Sequence, residues 1–217
     1  MHVDNALAQR QFDGLFGRSP ELITLAAETP DDPGSDALVR FGVKPHEYVL
    51  FVGLLKPDKG VHVLLEAYRR VRTALPLIIV GDSPDAGDYA QRLKSTSDGR
   101  VRFAGYVYGS DVQQLFANCL LYVQPSLMEG NSPALMTAMG YGRAVVTSDI
   151  EQNAETVGEA GATFVSGDAI SLAQVLTQLI CDAQEVERLG GLARERIATV
   201  YSWDRSTDRL DHLYRQV

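Results

Sequence analysis

Six short runs of this chain have a strand's character, and several of them are apolar almost throughout: "YVLFVG" from Tyr48, "LPLIIVG" from Leu75, "RVRFAG" from Arg100, "CLLYVQP" from Cys119, "AVVTSD" from Ala144 and "ATFVSG" from Ala162. A strand with one wet face alternates apolar and polar residues. A run that barely alternates is buried on both faces, as in a parallel sheet covered by helices on each side. Segments of helical period lie between these runs. "VHVLLEAYRRV" places Val61, Leu64, Leu65, Tyr68 and Val71 at a 3–4 spacing, and "AGDYAQRLKS", "SDVQQLFANC" and "ALMTAMGYG" follow in turn. Three more helical segments close the chain, the last after Trp203 and expected to pack away from the main sheet. The alternation predicts an α/β fold with a doubly wound, mainly parallel Rossmann-like sheet and right-handed crossovers.

The first residues differ. "NALAQRQFDGLF" reads as a helix, and "ETPDDPGSD" from Glu28 is a turn- and proline-rich linker. Residues 1–46 are therefore expected to be an arm and linker, the remnant of an interdomain region. Residues 47–217 are expected to form the Rossmann-like domain with its C-terminal helices.

The formal net charge of -8 argues against nucleic acid or an anionic membrane as the main partner, while leaving room for one small anion in a basic or amide-lined pocket. Cys119 and Cys181 lie in apolar runs and read as two buried free thiols, which suits a reducing compartment. The first residues lack a basic end followed by an apolar core, and no run has the length of a membrane span. A cytoplasmic location is expected. His2, His46, His62 and His212 show no metal-ligand spacing, so no metal and no cofactor is expected.

In an open α/β sheet, ligands bind outside the carboxyl ends of the strands. The segments to inspect are "GLLKPDKG" from Gly53, "GDSPDAG" from Gly81, "GYVYGS" from Gly105, "PSLMEGNSP" from Pro125 and "SDIEQN" from Ser148. The fourth is the most informative. Ser132 suits a helix N-cap and Pro133 the first turn. That leaves the N–H groups of Gly130, Asn131 and the helix start for an anion. Glu129 then has two readings: it accepts from sugar or ribose hydroxyls, or it caps local amides. Lys59, beside Gly60 at a helix entrance, is the better phosphate candidate. Lys56 reads as solvated surface. Tyr106 and Tyr108 either flank a base or cover the core edge. "GYGRAV" from Gly140 leaves a helix for a strand, the reverse of a dinucleotide site, and there is no P-loop and no GxSxG.

Taken together, "YVLFVGLLKPDKGVHVLLEAYRRV", "LIIVGDSP", "VRFAGYV", "LYVQPSLMEGNSPALMTAMGYGRAVVTSD" and "YSWD" resemble the retaining glycosyltransferases of the GT-B fold, family 4. The resemblance runs from about Glu47 to the C-terminus and covers the nucleotide-sugar-binding half of such enzymes. The family carries two glutamates separated by seven residues. Glu129 matches the first, which faces the donor sugar. Thr137 stands where the second would hold the ribose hydroxyls. After the first strand the family reads GRLxxxKG, with arginine and lysine on the diphosphate. Here Lys59 matches the lysine and Leu54 stands at the arginine.

The resemblance implies transfer of a sugar from a nucleoside-diphosphate sugar to an acceptor hydroxyl with retained configuration, in polysaccharide or glycoconjugate synthesis. Glu129 and Lys59 would be catalytic. Gly53, Leu54, Tyr106, Val107, Gly130, Asn131, Ser132 and Thr137 would line the donor site, with the base held mainly by the backbone of residues 105–107. The uncharged helix after Ser132 would receive the pyrophosphate at its N-terminus. The partners implied are a nucleoside-diphosphate sugar and an N-terminal acceptor domain or separate acceptor subunit, through which peripheral membrane association would come, and no nucleic acid. The substitutions at Leu54 and Thr137 support an alternative, a non-catalytic nucleotide-sugar-binding or interaction module on the same fold. A sugar-nucleotide epimerase fits "EGNSPALMTAMG" less well.

Overall fold

A computed structural model describes residues 1–83 and 88–215. The chain runs β1 (His2–Val3), α1 (Ala6–Phe16), β2 (Glu21–Leu22), α2 (Leu38–Phe41), β3 (Val49–Val52), α3 (Val61–Arg70), β4 (Leu77–Val80), α4 (Asp88–Thr96), β5 (Val101–Gly105), α5 (Gly109–Asn118), β6 (Leu121–Gln124), α6 (Pro133–Gly140), β7 (Ala144–Ser148), α7 (Glu151–Val157), β8 (Ala162–Phe164), α8 (Ala169–Ile180), α9 (Ala183–Val200) and α10 (Trp203–Arg215). All six expected strands form, and they pair in parallel in the order β5-β4-β3-β6-β7-β8. This is a doubly wound sheet, with its topological switch between β3 and β6.

The unbroken apolar runs are explained by the two layers that the sheet separates. Val49 and Phe51 of β3 pack into one layer, with α3 and α8, while Tyr48 and Leu50 pack into the other, with α5, α6 and α9. Successive side chains of a strand point to opposite faces, so a sheet covered on both sides needs apolar residues at every position. The same split recurs in β4, where Leu77 and Ile79 oppose Ile78 and Val80.

The arm holds more structure than a linker. β1 and β2 pair in parallel across α1, where the sequence indicated only the helix. Two-residue strands carry too little pattern to be read from sequence. Within "SDIEQN", α7 begins at Glu151, a helix that the sequence did not indicate. Two residues of "AGDYAQRLKS" and most of the tip of "GDSPDAG" lie outside the described residues. Cys119 is buried as expected, but Cys181 is exposed at the end of α8, where the apolar run outlasts the buried face of the helix. As expected, α10 buries no residue in the main core. It meets the arm instead, through Ser206 Oγ to Thr24 O and Arg209 Nη1 to Leu22 O. Among the described residues, no helix is long and apolar enough to cross a membrane.

Candidate active site at the switch point

Glu129 lies five residues beyond the carboxyl end of β6, beside the switch point. Its side chain is only 6% exposed. Oε1 accepts three hydrogen bonds: from Lys59 Nζ at 2.8 Å, Gln124 Nε2 at 2.6 Å and Ser126 Oγ at 2.8 Å. None of these donors is a backbone amide, so the capping reading of Glu129 is not what the structure shows. Oε2 has no protein partner among the described residues and stays within reach of solvent.

Lys59 ends a single 3-10 turn, Pro57–Lys59, between β3 and α3. The turn is held against the loop after β6. Leu127 N and Met128 N both donate to Asp58 O. Gly60 takes φ 67°, a left-handed conformation, and a Cβ there would lie 1.9 Å from Pro125 O. A glycine is required at this crossing on both counts. The two loops flanking the switch point are thus fastened together, and Lys59 and Glu129 meet because of it. Lys56 is exposed, in keeping with its reading as surface.

Gln124 and Ser126 were missed from sequence. Both are buried. Gln124 Nε2 gives one hydrogen to Ser126 Oγ at 2.9 Å and the other to Glu129, while its Oε1 accepts from Tyr122 OH at 2.6 Å. Burial, with the Glu129 carboxylate as a second cause, holds the Tyr122 phenol well above its usual range, so it remains a donor. The available signal was a glutamine at the end of an otherwise apolar strand, with a serine two residues on, where a buried polar group needs a partner.

The expected N-cap forms, with Ser132 Oγ accepting from Leu135 N at 3.3 Å and Pro133 opening α6. Among the described residues, the N–H groups of Gly130, Asn131 and Ser132 donate to no protein group. A Cβ on Gly130 would meet nothing within 4 Å, so the space over the loop is open. Asn131's side chain is committed elsewhere: Nδ2 donates to Asp4 O of the arm at 3.0 Å. The lack of charge on α6 has a packing cause. Leu135, Ala138 and Met139 face the core, and Gly140 lies so close to the arm that a Cβ would be 2.1 Å from Glu28 O.

The other expected residues spread outward. Gly53 N donates to Val80 O and leads into the β3 loop, where Leu54 is 43% exposed. Thr137 Oγ1 donates back to Pro133 O at 2.9 Å, and the residue lines a 560 Å3 cavity with Leu25, Glu28 and Trp203 rather than joining Lys59 and Glu129. Tyr106 and Tyr108 follow edge strand β5, two strands from β3, with rings stacked at 6.0 Å. Both are exposed, so they do not cover the core edge. Val107 instead packs partly into the core beside α5. No group of three metal-ligating side chains occurs among the described residues.

Residues 46–182 match the family model described as Glycosyl transferases group 1. The chain belongs to the glycosyltransferase group 1 family. It is 31% identical over 176 residues to O-antigen chain mannosyltransferase B of Escherichia coli, an alignment covering 77% of this chain and 45% of that protein. The chain spans about half the length of the curated relatives it matches. Among solved structures it superposes on Anabaena Alr3699/HepE, determined in complex with UDP, with TM-score 0.90 at 23% identity, covering 100% of this chain and 63% of that one. It also superposes on the C-terminal domain of a glycosyl transferase group 1 family protein (LpcC) from Francisella tularensis, with TM-score 0.71 at 17% identity over 82% of this chain and 100% of that one. At those identities the likeness establishes the fold, that of one half of a GT-B glycosyltransferase.

Proposed function

We propose that this group 1 glycosyltransferase chain forms the donor side of a retaining sugar transfer, with a nucleoside-diphosphate sugar bound over the switch point. The observation that carries the reading is the Lys59–Glu129 pair, part-buried at the carboxyl ends of β3 and β6 and next to the open N-terminus of α6. The diphosphate would lie on Lys59 and on the free amides of Gly130, Asn131 and Ser132, where a lysine and oriented N–H groups together favour an anion. Glu129 Oε2 would accept from hydroxyls of the sugar. In the reaction the bond from the anomeric carbon to the diphosphate breaks, and the bond to the acceptor oxygen forms on the same face. The acceptor proton passes to the departing diphosphate oxygen on that same face, and the negative charge that remains on the diphosphate is met by Lys59 and the α6 amides. The acceptor side would come from another domain or subunit. The UDP bound by Anabaena Alr3699/HepE supports a nucleotide of that class here.

Two observations favour a binding module instead. Leu54 is exposed where the family resemblance puts a diphosphate-binding arginine, and the Thr137 hydroxyl is bonded to its own helix. These losses weaken the donor site in either reading. Calorimetric titration with UDP, GDP and ADP tests the proposal. We expect one of them to bind with a dissociation constant on the order of 0.1–1 mM, since each lost polar contact costs about 1–2 kcal/mol. Silence from all three at millimolar concentration would remove the donor reading.

A further inference from the structure

The three donors on Glu129 Oε1 are not equivalent. Gln124 is 2% exposed, and Tyr122 OH fixes its amide from behind. The Tyr122 hydroxyl donating to Oε1 and the Glu129 carboxylate accepting from Nε2 set the orientation of that amide, because a flip would turn its oxygen onto the carboxylate. Ser126 is also anchored: its carbonyl accepts from Ser148 Oγ, which accepts in turn from Asn153 Nδ2 at 3.0 Å. Ser148 and Asn153 are both buried. Lys59 is the exception. Its side chain is 23% exposed, stands on a 3-10 turn and has four rotatable bonds behind the ammonium.

We propose that Gln124 is a positioning residue, which together with Ser126 keeps Glu129 in place while Lys59 passes from Glu129 to an incoming diphosphate. The inference rests on the donor-site reading for its consequence, not for its geometry. With the site empty, the lysine ammonium neutralises the carboxylate. A diphosphate carries more charge and stands in more open space, so it competes for the same ammonium. Once Lys59 moves, a part-buried carboxylate would be left uncompensated and would swing toward solvent. Two buried neutral donors on Oε1 prevent this and leave Oε2 facing the sugar. The arrangement separates two duties: the mobile cation serves the leaving group, and the fixed amide serves the acid.

The test uses the full chain and two readouts. The first follows the Gln124 side-chain amide by nitrogen-15 NMR in wild type, Lys59→Met and Glu129→Gln, with inorganic pyrophosphate as the anion. We expect the amide resonance to persist in Lys59→Met and under pyrophosphate, and to move in Glu129→Gln. Loss of that resonance when Lys59 is removed or drawn away would overturn the proposal. The second compares the best-bound nucleoside diphosphate with its sugar-bearing form in Gln124→Met and, as an independent variant, Ser126→Ala. The expected result is about a tenfold loss for the nucleotide-sugar with the nucleoside diphosphate within about twofold, and no additional loss when Gln124→Met is combined with Glu129→Gln. Equal losses for both ligands, or additive losses in the pair, contradict it. If wild type binds no nucleotide, the donor reading fails and the resonance experiment alone decides the positioning role.

Discussion

Gly60 fixes the distance between the two loops that carry the site. Alanine there combines a left-handed φ of 67° with a Cβ 1.9 Å from a backbone oxygen, which no side-chain rotation relieves. Gly60→Ala should cost about 2–4 kcal/mol and part Lys59 from Glu129. Gly191 is the contrasting case. It sits inside α9 with nothing within 4 Å of an added Cβ. Gly191→Ala should raise stability by about 0.5–1 kcal/mol through helix propensity alone. Urea unfolding of both variants checks the pair, and similar midpoints would mean the crossing at Pro125 is not rigid. Residues at this scale were only partly legible. Glu129 was visible because charge between a buried strand and a buried helix is costly and needs a reason, and Lys59 because it stands beside Gly60 at a helix entrance, where a cation can meet a phosphate. Gln124 and Ser126 were not, because a hydrogen bond to a residue three or five positions away leaves no periodic trace. Thr137 was assigned by its place in a motif, and its side chain bonds to Pro133 O instead, whereas Asn131 was singled out for its backbone N–H, which stays open while its side chain bonds to Asp4 O.

At the scale of elements, Arg100 ties the end of α3 to the start of β5. Its guanidinium donates to Val71 O, Thr73 O and Tyr68 O, pairs with Asp98 and lies 5.0 Å from the Tyr68 ring centroid. Hydrogen bonding to Arg100 holds the Asp98 carboxyl below its usual range, and Lys94 does the same for Asp82. A carboxyl that titrates lower in the folded chain than in the unfolded one stabilises the fold above the unfolded value. That contribution fades as pH falls through the folded value. Both contributions should therefore be present above about pH 4 and be lost below it. Asp98→Asn should flatten the acid limb of the curve of Tm against pH, and an unchanged limb would show that the Arg100 junction carries none of the acid sensitivity. The four inner strands β3, β4, β6 and β7 were legible because burial on both faces writes itself as unbroken apolar runs, whereas the edge strands β5 and β8 are only partly buried and show a weaker pattern. β1, β2 and α7 were not, since short elements at the periphery are set by tertiary contacts rather than by local pattern.

At the scale of the molecule, the arm is joined to the domain by its last residues, where Leu38 and Val43 are buried in the core, and nearer its start by polar contacts. Glu155 of α7 accepts from Ala6 N through both carboxylate oxygens, at 3.0 and 3.1 Å, and so serves the N-terminus of α1. Ala27 N donates to Tyr201 O, and Asn131 reaches Asp4 beside the proposed diphosphate loop. Glu155→Ala should raise hydrogen exchange across residues 1–22 several-fold while leaving β3, β4 and β6 protected. Equal loosening of arm and sheet would make the arm an integral part of the domain. The proposed role of this site, however, turns on what Glu129 faces. The most direct measurement is calorimetry of wild type and Glu129→Ala with the nucleoside diphosphate that binds, and with the same diphosphate carrying its sugar. Glu129→Ala should leave the bare diphosphate bound at least as tightly, since Lys59 is then released to it, and weaken the nucleotide-sugar by about tenfold, the worth of one charge-assisted hydrogen bond. A variant that loses both ligands equally, or neither, would contradict that role.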